Sequence, residues 1–447
     1  MRRSFVVGLA IVSGCFNPKL DDQPFRCGMG PDPCPPGYTC DTGRNVCVHE
    51  VADGGTTTCV PGPPRCDGDT LLTCPAGTLV HTPCPVGCGN PNGGAPACLT
   101  LVPTGLSPDI CASSSTASLR VASDQIYDTD SCAGGALLAE PPRCVVVLTD
   151  VTVEAGATLT VTGSRIPVLV ATGKVRIQGT IGVAATGLDS GPGFAAAVSI
   201  GRGESASPTS SDGGGGAGYA TKGGQGGANP GDAYGFANLS PILPGAQGGS
   251  GGAGCRQICP LLVLPSGGAG GAVQIVGCEG LELGPAAVIS AGGGGGPGGH
   301  GGELQAPPGG GGGGGAGGAI LIEAPQVAVV PGAALVANGG GGGGGGAPGA
   351  NFTGPGGEPG EDGAISRAPA KGGPGGNDAA GRGGDGGTAD GRGNGTLPGR
   401  GTSFTSGGGG GGAAGRIRLN ARPGKPASVS DSAIVSPSPS VGDIARR

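Results

Sequence analysis

The chain has 447 residues, with 25 lysines and arginines against 31 aspartates and glutamates, and a formal net charge of −6. This acidic balance argues against a nucleic acid as partner, because nucleic-acid-binding proteins carry a basic surface. Aromatic residues make up only 2% of the sequence, so neither base-stacking platforms nor aromatic sugar-binding grooves are supported. The 108 glycines and 42 prolines are typical of low-complexity chains.

Residues 1–14 are interpreted as an export signal. Two arginines precede the apolar run Phe5–Val12, which is too short to span a bilayer, since that needs roughly 20 residues, but fits a secretory signal. The run ends in Val12-Ser13-Gly14-Cys15, which resembles the lipobox of bacterial lipoproteins. The resemblance implies that Cys15 is lipidated and becomes the N-terminus. An ordinary signal peptide with an unrelated cysteine is the alternative.

Cysteine counting supports the lipidation of Cys15. The 17 cysteines form an odd set, which leaves one thiol without a partner, and assigning Cys15 to a lipid leaves an even sixteen. So many cysteines are expected in an oxidising compartment. The residue after Cys15 is Phe16 and not the aspartate that resembles an inner-membrane retention signal. We therefore expect an exported protein attached through its lipid to the outer membrane or cell surface.

The N-terminal third is predicted to be stabilised by disulfides, because it has too few apolar residues for a hydrophobic core. Residues 15–26 are a polar tether, 27–50 and 59–100 are two cysteine-rich modules, and 101–144 is a bridge. Sequence alone leaves the connectivity open. The spacing of Cys84 and Cys88 near His81 could suggest a metal site, but disulfides are favoured in an exported chain, and no metal site is assigned. The disulfide candidates are Cys27, Cys34, Cys40, Cys47, Cys59, Cys66, Cys74, Cys84, Cys88, Cys98, Cys111, Cys132, Cys144, Cys255, Cys259 and Cys278.

Two of these cysteine groups are odd in number. Cys111, Cys132 and Cys144 form one group of three, and Cys255, Cys259 and Cys278 form another. Because each group is odd, one bridge between the two groups is favoured, although the sequence alone leaves the pairing open.

Residues 145–425 are predicted to form a parallel β-solenoid, or β-helix, with glycine-rich insertions, and 426–447 a polar tail. Short runs rich in β-branched residues are separated by Gly, Ala or Pro, which indicates strands of three or four residues. Such tight spacing favours successive faces of a solenoid. The runs are Val145–Leu148, Val151–Val153, Thr158–Val161, Val168–Val170, Val175–Ile177 and Thr180–Val183.

An internal repeat strengthens this prediction. The segment Gly271–Ala291 recurs as Gly318–Ala337, with Val273 matching Ile320, and a fragment returns as Gly415–Asn420. Repetition of strand-forming segments is typical of stacked coils. The fold class is therefore predicted to be mainly β, with the solenoid preceded by the disulfide-rich modules.

Long glycine tracts lie between the predicted coils, and two interpretations remain open. They are either flexible insertions or extended polyproline-II-like segments that pack side by side because absent side chains let backbones approach. Ordered packing is favoured, since the tracts recur beside strands and an ordered glycine needs compensating backbone partners.

Segments such as Val151–Val161 and Gly317–Glu323 are similar to segments of glycine-rich β-solenoid lipoproteins and adhesin-like surface proteins of bacteria. The resemblance covers residues 145–421 and implies location and shape, without a residue-level activity. We expect a surface-displayed, lipid-anchored structural or adhesive protein. Its expected partners are the membrane and an extracellular polysaccharide or cell-surface protein, with no cofactor and no catalytic residue.

Two alternatives remain open. Gly299-His300-Gly301 and Arg416-Ile417-Arg418 resemble short motifs of polygalacturonases, which makes a pectinase-like enzyme the first alternative, although paired carboxylates for acid and base are missing at matching positions. A calcium coil around Asp385 and Asp390 lacks the regular nine-residue step that such sites need. The second alternative is a largely disordered glycine-rich secreted protein.

Overall fold

The computed structural model describes residues 59, 61–194, 200–254, 265–302, 307–349, 354–388 and 405–447, together with three N-terminal strands. The predicted signal, Cys15, Cys27, Cys34, Cys255, Cys259 and Asp390 lie outside these residues. The side chains of Cys40 and Cys47 also lie outside what is described. The described part is mainly β, with three single-turn 3₁₀ helices at Pro75–Gly77, Pro91–Gly93 and Ile110–Ala112.

The chain divides into two units, and the first comprises Met1–Gly62 and Cys74–Val80. It contains an antiparallel sheet with the order β1-β3-β2. Its strands are β1 (Phe25–Arg26), β2 (Tyr38–Asp41) and β3 (Val46–His49).

The second unit comprises Pro63–Thr73 and His81–Arg447. Its N-terminal part has short antiparallel strands, and β4 pairs with β5 across a turn at Gly68-Asp69. These strands are β4 (Arg65–Asp67), β5 (Thr70–Thr73), β6 (Val80–Pro83), β7 (Cys88–Gly89), β8 (Ala97–Cys98) and β9 (Leu101–Val102).

Three long sheets with parallel pairing follow, which confirms the prediction of a mainly β chain with parallel strands. Sheet I consists of β10 (Leu119–Val121), β14 (Val151–Val153), β17 (Lys174–Ile177), β20 (Gly280–Leu283), β23 (Val327–Val329) and β26 (Ser428–Val429). Sheet II consists of β11 (Gln125–Asp128), β15 (Thr158–Thr162), β18 (Thr180–Gly182), β21 (Val288–Ser290), β24 (Ala334–Val336) and β27 (Ile434–Ser436). Sheet III consists of β12 (Ala136–Leu138), β13 (Arg143–Leu148), β16 (Ile166–Ala171), β19 (Ala272–Gly277), β22 (Ala319–Glu323), β25 (Arg416–Ala421) and β28 (Ser440–Asp443).

The chain visits these sheets in rotation, adding one strand to each sheet before it returns to the first, except that the consecutive strands β12 and β13 both join sheet III. The strands within each sheet are parallel, except that β12 runs antiparallel to β13 at the edge of sheet III. Residues that are equivalent in the sequence repeat become neighbours across strands, since Val273 pairs with Ile320 and Ile320 with Ile417.

One hydrophobic core joins the inner faces of the three sheets. Alternate residues of each strand point inward, and the core is built from aliphatic side chains such as Val153 of sheet I, Leu335 of sheet II and Ile275 of sheet III. β-Branched and leucine side chains pack well on such pleated surfaces, which explains why so few aromatic residues are needed.

The parallel strands extend beyond the predicted range of 145–425. They begin at Leu119, inside the predicted bridge, and continue to Asp443, inside the predicted polar tail. At these ends several strand residues are exposed, as in β11 and β28. Their sequences therefore lack the apolar runs that marked the central strands.

The long glycine segments are all inserted between the same two sheets. They connect a strand of sheet II to the next strand of sheet III, between β18 and β19, between β21 and β22, and between β24 and β25. Because these insertions leave from equivalent positions of stacked strands, they lie beside one another.

Candidate functional site: the glycine bundle and the outer face of sheet III

The glycine tracts pack against one another as ordered, extended segments joined by backbone hydrogen bonds. We call this the glycine bundle. It is formed by segments 213–218, 245–252, 267–271, 291–302, 309–318, 339–347, 354–363, 372–376, 381–387 and 406–415. Most of its glycines are buried. Of the two interpretations left open by the sequence, side-by-side packing is the one the structure adopts.

Hydrogen bonding in the bundle repeats every three residues. In segment 309–318, every third amide donates to the same neighbour, at 2.7–3.0 Å. The amides of residues 310, 313 and 316 donate to carbonyl oxygens of segment 246–252. Those of residues 311, 314 and 317 donate to segment 407–413, and those of residues 312, 315 and 318 donate to segment 291–297. Three residues per turn is the period of a polyproline II helix, which has no internal hydrogen bonds. Every amide of segment 309–318 therefore has an acceptor on a neighbouring segment, as buried amides require.

Glycine is needed in the bundle because neighbouring backbones occupy the space of a side chain. A Cβ added at Gly313 would lie 2.0 Å from the carbonyl oxygen of Gly215, and one at Gly409 would lie 2.0 Å from that of Gly312. By contrast, a Cβ at Gly182 of β18 would meet nothing within 4 Å. The requirement comes from close packing and not from an unusual backbone angle.

A tyrosine pair anchors the bundle to sheet III. The rings of Tyr219 and Tyr234 lie 4.7 Å apart, and their hydroxyls donate to the carbonyl oxygens of Leu243 and Pro244. The Arg416 guanidinium lies 5.6 Å from the centre of the Tyr219 ring, a cation–π arrangement. Burial raises the pKa of both tyrosines far above the usual value of 10.0.

The glycine bundle covers one part of the outer face of sheet III, and a second part is covered by the segments around Leu101 and Ile444. β9 pairs antiparallel with β29 (Ala445–Arg446). Leu101 and Ile444 pack with Val168 and Val276 in a second apolar cluster outside the core. The disulfide Cys111–Cys278 fastens this cover to the end of β19.

A buried glutamate lies beneath this cover. Glu323, at the end of β22, is 1% exposed, and its carboxylate accepts hydrogen bonds from four donors on three parts of the chain. They are the Thr104 amide at 3.1 Å, the Thr104 hydroxyl at 2.7 Å, the Gln274 side-chain amide at 2.8 Å and the Asn420 side-chain amide at 3.1 Å. A buried carboxylate is costly unless hydrogen-bond donors surround it, and these four donors meet that requirement.

A cavity of about 320 Å³ opens beside Thr104, and Arg143 at the start of β13 lines it. Arg143 is 8% exposed. Its Nε has no hydrogen-bond partner among the described residues. Burial alone lowers the pKa of its guanidinium from the ordinary value, with no neighbouring charge contributing. Leu239 and Ile242 also line the cavity and are buried, and Glu140 stands exposed at its rim.

Five disulfides are formed by the described cysteines, confirming that the chain contains disulfide bonds. Cys111–Cys278 is a bridge between the two groups of three that counting had identified. Cys84 and Cys88 each pair with a different cysteine, so neither is available for the metal site considered near His81. The pairs are Cys59–Cys74, Cys66–Cys88, Cys84–Cys98, Cys111–Cys278 and Cys132–Cys144.

The residues that resemble polygalacturonase motifs have separate surroundings. The His300 ring contacts the carbonyl oxygens of Ala253 and Gly301 in the bundle. Arg418 donates to Asn420 and to the Val441 carbonyl, and Arg416 contacts the tyrosine pair. These three residues share no hydrogen-bond partner in the described part of the chain.

Asp385, considered for calcium, is instead held by cations of the chain. Lys371 lies 3.1 Å and Arg382 2.8 Å from its carboxylate oxygens. Burial tends to raise its pKa, but the Gly372 amide and the two cations outweigh burial and lower it. Among the residues with described positions, no group of three or more His, Cys, Asp or Glu side chains could hold a metal ion.

Sequence reasoning did not single out Arg143, Gln274 or Glu323. Gln274 interrupts the apolar run of β19, Glu323 ends that of β22, and Arg143 precedes that of β13. A polar residue at an outward position between apolar neighbours is the signal that could have indicated a covered outer face.

Comparison with protein-family models, with curated proteins and with solved structures finds no significant match. Over the described residues, no helix combines the length and apolar character needed to cross a membrane.

Proposed function

We propose that this chain is an exported, lipid-anchored β-solenoid whose function is structural or adhesive display at the bacterial outer membrane or cell surface. The observation that carries the proposal is the glycine bundle, joined by backbone hydrogen bonds and set against stacked parallel strands. A scaffold of this kind presents a rigid surface without catalytic residues.

The solenoid part of the proposal is supported by the rotation of successive strands through three sheets and by the single core that joins their inner faces. Stacked coils of this type bury one apolar row on the next, so that each coil contacts mainly its neighbours. The ordered bundle favours a folded scaffold over a disordered glycine-rich chain, because its amides have protein partners.

Export is supported by the disulfides, which form and persist in oxidising compartments. They include a bridge between residues 167 positions apart in the sequence, which restrains the cover on sheet III. Lipid anchoring rests on the lipobox resemblance of residues 12–15 and on the odd cysteine count.

The anchoring is tested by Cys15→Ser in the native host. We expect the variant to leave the membrane fraction while retaining its folded domain, and mass spectrometry of the wild type to find a diacylglycerol-type lipid on Cys15. Cys132→Ser, which also removes one thiol, is the matched control and should stay with the membrane. A Cys15→Ser protein that remains membrane-bound would contradict the proposal.

The adhesive role is tested by displaying the protein on a non-adherent bacterium and measuring attachment to polysaccharide-coated surfaces. We expect attachment that is lost when the protein is removed by protease. The placement of His300 and Arg418 does not favour the pectinase-like alternative. Incubation with pectin tests it directly, since release of reducing ends that His300→Ala abolishes would favour the enzyme.

A further inference from the structure

Arg143 carries a buried positive charge that the described part of the chain does not neutralise. Arg143 is 8% exposed, its Nε lacks an acceptor, and no carboxylate among the described residues forms an ion pair with it. An arginine side chain keeps its charge in proteins, and burying an unpaired charge is costly. The carboxylate of Glu323 nearby accepts hydrogen bonds from the Thr104 hydroxyl and the Gln274 side-chain amide, whereas no carboxylate at a described position meets Arg143.

The surroundings of Arg143 have the size and shape of a small-molecule site. The cavity of about 320 Å³ lies at the lower end of the range for ligand pockets, roughly 300–1,000 Å³. Gly105 faces the guanidinium so closely that a Cβ there would lie 3.1 Å from Nη1. The backbone of Leu239 has a φ of 53°, a left-handed conformation that is unfavourable for leucine.

The walls combine one cation with apolar surface. Leu239 and Ile242 are buried and apolar, while Ser240 provides a hydroxyl at the exposed side. Arg143 is the one cation among the lining residues, and Glu140 adds a negative charge at the rim. This balance favours a monovalent anion over a phosphate dianion. A planar guanidinium matches a carboxylate through two parallel hydrogen bonds.

We propose that this cavity binds a small organic carboxylate of the hexuronate class, with Arg143 pairing with the carboxylate and the sugar ring lying against Leu239 and Ile242. The ligand is either a free sugar acid or a residue of an acidic polysaccharide. The site does not depend on lipid anchoring, so the two proposals stand or fall separately.

The test is calorimetric titration of the purified full-length protein with D-galacturonate, with a short oligogalacturonate and with D-galactose. Galactose differs by lacking the carboxylate, and is expected not to bind. Binding of the oligomer at least as tightly as the monomer identifies a polysaccharide as the source, whereas binding of the monomer alone identifies a free sugar acid. Galactose 6-sulfate is titrated as the competing anion class.

Arg143→Met is the decisive variant, because it keeps an unbranched apolar stem and removes the charged guanidinium. We expect affinity for galacturonate to fall roughly tenfold or more, while the melting temperature without ligand is unchanged or higher, since a buried unpaired charge is removed. Arg143→Lys keeps the charge but loses the two-pronged geometry, and should bind at an intermediate level. Arg176→Met, an exposed arginine on β17, is the matched control.

Glu140→Gln provides a further check, because it removes the negative charge at the rim and should tighten galacturonate binding. The proposal is overturned if the wild type binds none of the carboxylates, if galactose binds as well as galacturonate, or if galactose 6-sulfate binds more tightly. It is also overturned if Arg143→Met binds like the wild type, or if this variant lowers the melting temperature while galacturonate fails to raise that of the wild type.

Discussion

The hydroxyl of Thr104 donates a hydrogen bond of 2.7 Å to the carboxylate of Glu323, joining two residues 219 positions apart in the sequence. Through this bond the cover of sheet III is attached to the strand below it. Gln274 and Asn420, on the strands on either side of Glu323, complete the ring of donors.

Glu323→Gln should destabilise the fold, because its amide group would replace one accepting oxygen with a donor that faces other donors. Hydrogen bonds to charged groups contribute roughly 1.5–3 kcal/mol, and we expect a loss of that size in the free energy of unfolding, measured by urea denaturation. Glu282→Gln, at an exposed position of β20, should change stability by less than about 0.5 kcal/mol. Equal effects of the two substitutions would refute the role of the buried network.

Gly313→Ala should destabilise the glycine bundle, since its Cβ would lie 2.0 Å from the Gly215 carbonyl oxygen, and the atoms nearest to it are backbone atoms that cannot move aside like a flexible side chain. Overpacking of this kind costs about 1–3 kcal/mol, occasionally more. Hydrogen exchange should show faster exchange of the bundle amides. Gly182→Ala in β18 is the control, where a Cβ meets nothing within 4 Å and alanine should be neutral or slightly stabilising. Unchanged exchange in Gly313→Ala would contradict the packed arrangement.

Replacing both Cys111 and Cys278 by serine should lower the melting temperature more than replacing Cys132 and Cys144. The first bridge joins residues 167 apart and the second joins residues 12 apart. In the chain-entropy description, closing the longer loop is worth about 5 kcal/mol and the shorter one roughly 3 kcal/mol. Peptide mapping under non-reducing conditions should recover both cross-links in the wild type, and a different partner for Cys111 would contradict the structure.

Asp69 and Arg422 should make stability depend on pH in the acid range. The hydrogen bond from Arg422 lowers the pKa of Asp69 below its usual value of 3.8. A depressed pKa adds stability above the unfolded value, and this stability is lost as the pH falls through the lower folded value. Asp69→Asn should therefore flatten the loss of stability below pH 3.8. Asp378→Asn, at an exposed position, is the control and should leave the acid limb of the curve unchanged.

The central strands could be predicted from the sequence because they are made of β-branched runs separated by small residues. The predicted run Val151–Val153 coincides with β14, and the repeat that matched Val273 to Ile320 gave their pairing in sheet III. Strands at the ends, such as β11, were missed because they lack a continuous apolar run. The candidate sites were missed for a related reason, since Arg143 and Glu323 become unusual only when burial is known.

The sequence by itself determined the strand-rich composition, the odd cysteine count and the positions of the glycine tracts along the chain. These properties depend on residue type and local spacing, which a linear chain carries directly. The tertiary structure decided which cysteines pair, which neighbours each glycine segment bonds to, and that a cover on sheet III buries Glu323 and Arg143. These features depend on contacts between residues far apart in the chain, and such contacts exist only once the strands have stacked and the insertions have been brought side by side.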